Sequence, residues 1–263
     1  MQDLKISIVQ SNLFWEQPKK NLQHFALKFA TINQKPDLIV LPEMFNTGFT
    51  MNGAANAEPP DGLTFQWMKT QAKNHHCVIT GSFLCNDSGH LFNRLVWMRP
   101  SGTFETYDKR HLFRFGNEHL HFTPGTNKLI VDLNGWHICP LICYDLRFPV
   151  WAKNTYSNHR FEYDLLLYVA NWPEKRKQHW RALMPARAIE NLAFVAGINR
   201  VGEDGHGNSH SGNSMIVSPK GEILCEIAEN KETIETMILY KEELIQYRER
   251  FNVAQDWDTF EIK

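Results

Sequence analysis

The chain has 263 residues, and 43% of them are hydrophobic, which is enough to bury a sizeable core. Its 15 glycines and 12 prolines together make about a tenth of the chain, which excludes collagen-like, low-complexity and disordered classes. Because 28 Lys and Arg residues balance 29 Asp and Glu residues, the net charge is −1, and no overall field favours nucleic acid or an anionic membrane.

The five cysteines and the first residues bear on the compartment. An odd, small number of cysteines is typical of free thiols in a reducing compartment and not of a disulfide scaffold. The first residues show no basic segment followed by an apolar core, and no window approaches the roughly 18 uncharged apolar residues of a membrane span. We therefore expect a cytoplasmic protein that binds neither nucleic acid nor a membrane.

Alternating apolar segments predict strands and helices in turn. In chain order, the predicted elements are a strand at 4–9, a helix at 18–32, a strand at 37–41, a helix at 63–74, strands at 77–84, 91–98, 103–109, 128–133, 136–143 and 164–170, a helix at 175–191, strands at 193–201 and 214–217, a hairpin within 222–239, and a helix at 241–250. Pro185 predicts a kink or break in its helix. Strands buried on both faces indicate an α/β protein with helices on both sides of stacked sheets.

No repeat and no linker divides the sequence. We therefore predict a single domain over residues 1–250, followed by a C-terminal tail over 251–263.

Three ionisable residues lie at the ends of predicted strands, where α/β proteins place their ligand sites: Glu43, Lys109 and Cys143. Each also has an ordinary structural interpretation, since Glu43 and Lys109 could face solvent and Cys143 could be a core thiol.

Cys143 differs from Cys139 because it ends its apolar segment at a point where the chain turns. A nucleophile on such an elbow is exposed at one end, and the backbone N–H groups after it can face an oxyanion. A thiol nucleophile needs a base, and no histidine signature of cysteine proteases is present. A carboxylate at a strand end is then the nearest candidate base, and Lys109 could supply positive charge to the oxyanion.

Three sequence blocks, in order and spacing, resemble those of the nitrilase superfamily of carbon-nitrogen hydrolases. They are residues 38–43 (LIVLPE), 107–113 (YDKRHLF) and 141–149 (LICYDLRFP). The resemblance implies a single-domain, four-layer α-β-β-α sandwich and a Glu-Lys-Cys triad at Glu43, Lys109 and Cys143. It also implies a second catalytic glutamate in the loop after the lysine, which matches Glu118, and a homodimer.

Residues 43–49 (EMFNTGF) and 169–173 (VANWP) are most similar to the omega-amidases of this superfamily. That likeness implies a cofactor-free thiol amidase that forms a thioester and hydrolyses the terminal amide of small dicarboxylic monoamides such as 2-oxoglutaramate, 2-oxosuccinamate and succinamate. The residues expected to bind the substrate are Phe113, Tyr144, Arg147, Asn171 and Trp172.

Several alternatives stay open at this point. Arg147 could form a structural ion pair with Asp145 or another acid, or it could capture a substrate carboxylate. The glycine-rich segment 202–209 lacks the spacing of a phosphate loop and is predicted to be a turn, and the histidine pairs lack the spacing of a zinc site, so we expect no metal. The same triad could serve a nitrilase or an N-carbamoyl amide hydrolase, or the fold could carry a catalytically silent interaction protein.

Overall fold

Two six-stranded sheets form the frame of the protein in the computed structural model, which describes residues 2–262. The strands are β1 (Leu4–Gln10), β2 (Leu38–Val40), β3 (Val78–Asp87), β4 (His90–Met98), β5 (Phe104–Asp108), β6 (Val131–Leu133), β7 (Trp136–Ile142), β8 (Tyr156–Ser157), β9 (Arg160–Phe161), β10 (Leu165–Ala170), β11 (Phe194–Asn199), β12 (Val201–Glu203), β13 (Ser209–Ser211), β14 (Met215–Val217), β15 (Ile223–Glu226) and β16 (Thr233–Leu239). The first sheet has the order β16-β1-β2-β3-β4-β5, and the second has the order β15-β14-β11-β10-β7-β6.

The described residues form seven α-helices, of which the longer ones pack on the two sheets. They are α1 (Pro18–Phe29), α2 (Gly53–Asn56), α3 (Leu63–His75), α4 (Glu118–His121), α5 (Pro149–Ala152), α6 (Lys177–Asn191) and α7 (Lys241–Arg250). In α1, a proline at the first turn precedes apolar residues at helical spacing, and Leu22, Phe25 and Phe29 are buried with α3 against the first sheet. Helix α6 buries Trp180 and Met184 against the second sheet. The predicted four-layer α-β-β-α sandwich in a single domain is therefore confirmed.

The middle of each sheet is parallel and its edges are antiparallel. Strands β1, β2 and β3 run parallel in the first sheet, as do β7, β10 and β11 in the second. Strand β5 follows two antiparallel pairings from β3 and so runs in the direction of β2. The carboxyl ends of β2 and β5 therefore lie at one edge of the first sheet, which is where Glu43 and Lys109 follow them.

The hairpin predicted within residues 222–239 is wrong. Strand β15 pairs with β14 in the second sheet, whereas β16 pairs antiparallel with β1 in the first. The connection between them crosses from one sheet to the other, and Gln10 fixes it by donating hydrogen bonds from Nε2 to the carbonyls of Ala228 and Lys231, both at 2.9 Å. Alternating polarity predicts that a segment is a strand, but it does not choose the partner strand.

A break of the helix at Pro185 is also not found, since α6 continues from Lys177 to Asn191. A proline removes one backbone hydrogen bond from a helix interior. Trp180, Met184 and Ala188 are buried on both sides of that position, so packing against the second sheet holds the helix together.

Helix α7 docks on the second sheet through a buried ion pair. Arg248 donates hydrogen bonds to the Asp164 carboxylate at 2.7 Å and to the carbonyls of Tyr163 and Leu192 at 2.8 Å each. Lys241 donates to the other oxygen of Asp164. Burial alone would raise the pKa of Asp164, but the charges of Arg248 and Lys241 outweigh it and hold that pKa below its ordinary value.

We expect Arg248→Met to lower the free energy of unfolding by about 3–5 kcal/mol at pH 7, because it leaves a buried carboxylate with one cation fewer and two carbonyls without a donor. Because the pKa of Asp164 is lower in the folded state, its ionised carboxylate stabilises the fold at pH values above the unfolded pKa near 4. This contribution is lost as the pH falls through the folded pKa. Urea unfolding at pH 7 and pH 3.5 should therefore separate variant and wild type more at pH 7. The exposed Arg250→Met is the control, with a change within about 0.5 kcal/mol; equal losses in the two variants would contradict the assignment.

The boundary between the predicted domain and the C-terminal tail at residue 250 stays a prediction. Within it, Val253–Asp256 form a short 3-10 turn. Met1, the first residue of the predicted domain, and Lys263, the last residue of the predicted tail, lie outside the described residues. No helix within residues 2–262 has the length and apolar character that crossing a bilayer requires.

Candidate active site

A buried cluster of two carboxylates and one ammonium lies at the carboxyl edge of the first sheet. The Lys109 ammonium donates hydrogen bonds to Glu43 Oε1 at 2.8 Å and to Glu118 Oε2 and Oε1 at 2.9 and 3.1 Å. All three side chains are fully buried. The structure thus brings together Glu43, Lys109 and Glu118, all of which the sequence analysis named as candidate catalytic residues.

Asn93 is a fourth member of this cluster, and sequence analysis missed it. It lies on β4, where its Nδ2 donates to Glu43 Oε1 at 2.8 Å and to Glu118 Oε1 at 3.2 Å. The available signal was an amide at an inward position of an alternating strand, between the buried Leu95 and the half-buried Leu91. A buried amide of that kind needs polar partners, and here the partners are the two carboxylates.

Burial and charge set the protonation of the cluster. Burial alone would lower the pKa of Lys109, but the facing carboxylates of Glu118 and Glu43 outweigh it and raise that pKa. Burial raises the pKa of Glu118, and the Lys109 charge only partly offsets this effect. Lys109 is therefore a permanent cation, and its loss would leave two carboxylates facing each other in a dry environment.

Cys143 begins the 3-10 turn Cys143–Arg147 directly after β7. Its backbone is left-handed, with φ of +43°, which is a strained conformation for a residue with a side chain. The elbow predicted at this position is thus present, although the strand ends at Ile142 instead of Cys143.

Asp145 holds this elbow in place. Its fully buried carboxylate accepts hydrogen bonds from the Ile142 N–H at 3.0 Å, the Tyr107 hydroxyl at 2.7 Å and the His111 N–H at 3.0 Å. The turn that carries the thiol is thereby tied to β5 and to the segment that follows Lys109. Asp145 makes no ion pair with Arg147, so that structural interpretation of Arg147 is not supported.

Burial, followed by the charge of Glu43, raises the pKa of the Cys143 thiol well above its usual value, and Lys109 only partly offsets the shift. The resting group is therefore a neutral thiol beside a carboxylate.

A second hydrogen bond joins the two sheets here, because the Asn171 N–H donates to Glu43 Oε2 at 2.8 Å. Asn171 follows β10, so the carboxyl ends of both parallel sets meet at the thiol.

A cavity of about 260 Å³ opens above Cys143. Its walls include all five residues predicted to bind substrate, namely Phe113, Tyr144, Arg147, Asn171 and Trp172. Glu43, Lys109 and Cys143 also reach it, whereas Glu118 lies behind Lys109 and is not part of the wall.

Two guanidinium groups stand in this cavity, and sequence analysis missed one of them. Arg147 lies 4.7 Å above the Trp172 ring and donates to His179 Nδ1 at 3.0 Å. Arg176 lies 5.1 Å above the Phe113 ring. Within residues 2–262, neither guanidinium has a carboxylate within ion-pair distance. Arg176 belongs to a polar segment with several charged residues, and no local pattern indicates which of them would turn inward.

The glycine-rich segment forms the opposite wall of the cavity. It is the turn between β12 and β13, as predicted, and it brings Asp204, His206 and Asn208 to the cavity. The Asp204 carboxylate is occupied within the turn, where it accepts hydrogen bonds from the N–H groups of His206 and Asn208. In the part of the chain that the structure describes, no three His, Cys, Asp or Glu side chains are grouped as metal ligands would be.

Residues 5–249 match the model of the carbon-nitrogen hydrolase family. The chain belongs to the carbon-nitrogen hydrolase family. The resemblance to the nitrilase superfamily and the expectation that the protein is a carbon-nitrogen hydrolase are therefore confirmed.

Relatives of this carbon-nitrogen hydrolase cover all or most of its length. Omega-amidase YafV of Escherichia coli strain K12 is 44% identical over 262 residues, which cover 100% of both chains. The 2-oxoglutaramate amidase of Bacillus subtilis strain 168 is 32% identical over 224 residues, covering 84% of this chain and 85% of the relative. Among solved structures, a CN-hydrolase superfamily protein of Xanthomonas campestris with an arsenic adduct in its active site has a TM-score of 0.96 at 43% identity, with both chains fully covered.

We expect Lys109→Met to lower the free energy of unfolding by about 3–5 kcal/mol at pH 8, because Glu43 and Glu118 would face each other without a cation. Without the ammonium, the two carboxylates should share a proton, and the pKa of the pair should rise. Stability that depends on a raised carboxyl pKa is present at low pH and is lost as the pH rises.

The measurement is urea unfolding at pH 5.5 and pH 8, with the larger deficit expected at pH 8. Lys177→Met, which removes a surface ion pair with Glu229, is the control and should cost at most about 1 kcal/mol with no such pH trend. An equal deficit for Lys109→Met at both pH values would contradict this account of the cluster.

Proposed function

We propose that this carbon-nitrogen hydrolase is a thiol amidase that hydrolyses the terminal amide of small dicarboxylic monoamides, of the 2-oxoglutaramate, 2-oxosuccinamate and succinamate type, to the acid and ammonia. The observation that carries the proposal is a neutral thiol beside a buried carboxylate-lysine cluster, in a cavity whose wall holds an arginine with no carboxylate partner among residues 2–262. Relatives named omega-amidase and 2-oxoglutaramate amidase support the same substrate class.

Acylation begins with the proton of the thiol. Glu43 accepts that proton as Cys143 Sγ attacks the amide carbon, and the resulting oxyanion is stabilised by Lys109 and the backbone N–H of Tyr144. Protonated Glu43 then delivers the proton to the departing nitrogen, so ammonia leaves and a thioester remains. A raised thiol pKa suits this order, since the thiolate forms only when the substrate is present to receive it.

Deacylation repeats the cycle with water. Glu43, again a carboxylate, removes a proton from water as the water oxygen attacks the thioester carbon. Lys109 and the Tyr144 N–H stabilise the second oxyanion as they did the first. Collapse of the intermediate releases the acid, and the proton returns from Glu43 to the sulfur. Glu118 is proposed to act by fixing the Lys109 ammonium, which it contacts with both oxygens.

The far end of the substrate is assigned to Arg147. A guanidinium binds a carboxylate through two parallel hydrogen bonds, and this geometry would fix a short substrate with its amide at the thiol. Trp172 and Phe113 would form apolar walls around the chain between the two ends. Asn171, whose N–H already orients Glu43, would contact the amide end.

Cys143→Ala should abolish ammonia release from 2-oxoglutaramate and leave the fold intact, because it removes the nucleophile and a single sulfur atom. Cys143→Ser should retain little activity. The matched control is Cys139→Ala, four residues earlier on β7 and buried, which should stay active. Loss of activity in Cys139→Ala together with an active Cys143→Ala would overturn the assignment of the nucleophile.

Arg147→Met should lower kcat/KM for 2-oxoglutaramate and succinamate by roughly 100-fold, because the substrate carboxylate would lose its charged partner in a shielded cavity. Neutral amides of equal length should be poor substrates of the wild type and should change little in the variant. Equal wild-type efficiency toward neutral and acidic amides would exclude this substrate class. A preference that persists in Arg147→Met would mean that another group binds the carboxylate.

The alternative reactions are tested in the same assay, since nitriles and N-carbamoyl amino acids would also release ammonia from this triad. The homodimer, the cytoplasmic location and the lack of a cofactor stay predictions. Sedimentation of the purified protein measures the first of these.

A further inference from the structure

We propose that Arg176 determines specificity by charge: beside Arg147, its guanidinium favours amides of 2-oxo acids over amides of 2-amino acids such as glutamine. This inference rests on the proposed function and concerns the second carbon of the substrate, not the carboxylate. Arg176 would thereby distinguish an oxo group from an ammonium group at that carbon.

The backbone of Arg176 is fixed. It ends the 3-10 turn Glu174–Arg176, its N–H donates to the Pro173 carbonyl at 3.0 Å, and its carbonyl accepts the Trp172 indole N–H at 2.8 Å. Its guanidinium lies over the Phe113 ring, and that ring contacts Tyr144 with 5.1 Å between centroids. Arg176 is therefore held next to the turn that carries the nucleophile.

Within the part of the chain that the structure describes, no acidic side chain neutralises Arg176. Glu174 on its own turn lies 3.8 Å from Lys177, and Asp204 across the cavity accepts hydrogen bonds from its own turn. Burial and the nearby charge of Arg147 lower the pKa of Arg176, as expected for two like charges in a partly shielded site. An anionic ligand would relieve this repulsion.

The two kinds of substrate differ in charge at the second carbon, next to the carboxylate that Arg147 is proposed to bind. A 2-oxo acid amide carries one negative charge, on its carboxylate, and beside it an uncharged oxo oxygen that accepts hydrogen bonds. Glutamine carries an ammonium in place of the oxo group, and its net charge is zero. Two uncompensated guanidiniums attract the first ligand and repel the ammonium of the second. A like charge about 6 Å away, at the effective dielectric typical of such sites, corresponds to roughly a 100-fold difference.

The experiment compares kcat/KM for 2-oxoglutaramate, glutaramate and L-glutamine, which share a length and differ only at the second carbon. In Arg176→Met, the ratio of 2-oxoglutaramate to glutamine should fall roughly 100-fold from the wild-type value. Arg176→Lys keeps the charge and should retain most of the ratio. Arg181→Met removes a guanidinium that pairs with Glu226 outside the cavity and should leave the ratio unchanged.

Calorimetry in the Cys143→Ala background measures the ratio of the affinities for 2-oxoglutaramate and glutamine without turnover. A variant that loses activity toward every substrate can therefore still be tested. A ratio in Arg176→Met within threefold of the wild type would overturn the role of Arg176. If the wild type prefers acidic over neutral amides at the same time, the proposed function stands and this inference alone fails. If the wild type shows no such preference, the proposed function fails first.

Discussion

The contact on which the site depends is that of the Lys109 ammonium with Glu43 and Glu118 in a fully buried setting. One cation between two carboxylates leaves a cluster with a single excess negative charge, and that charge stands beside the thiol. Burial and this negative charge both disfavour a thiolate, so the thiol keeps its proton in the resting site. The same arrangement that makes the cluster costly to bury thus prepares it for proton transfer.

The fold and the site share their contacts. Glu43 follows a strand of the first sheet, while Cys143 and Asn171 follow strands of the second, and the Asn171 N–H bond to Glu43 joins the two. Asp145 ties the nucleophile turn to β5. The stacking of the two sheets therefore decides the distance between base and nucleophile, and a change in that packing would change this distance.

Charge is distributed unevenly along the cavity. Its floor holds the carboxylate-lysine cluster, and its walls carry the guanidiniums of Arg147 and Arg176, which have no acidic partner among residues 2–262. A neutral amide suits the floor and an anionic group suits the walls. This gradient supports a substrate with one end of each kind, and it orients that substrate before any contact with the sulfur forms.

The sequence by itself determined the α/β class, most strand and helix positions, and the three strand ends that carry Glu43, Lys109 and Cys143. These features are local, since apolar periodicity and a break after a buried strand are visible in a few neighbouring residues. Tertiary structure alone decided the partners of β15 and β16, the continuity of α6 through Pro185, and the inward position of Asn93 and Arg176. Each of these depends on contacts with residues distant in the chain, such as the 50 positions between Asn93 and Glu43. No local pattern records which distant group a polar side chain will meet.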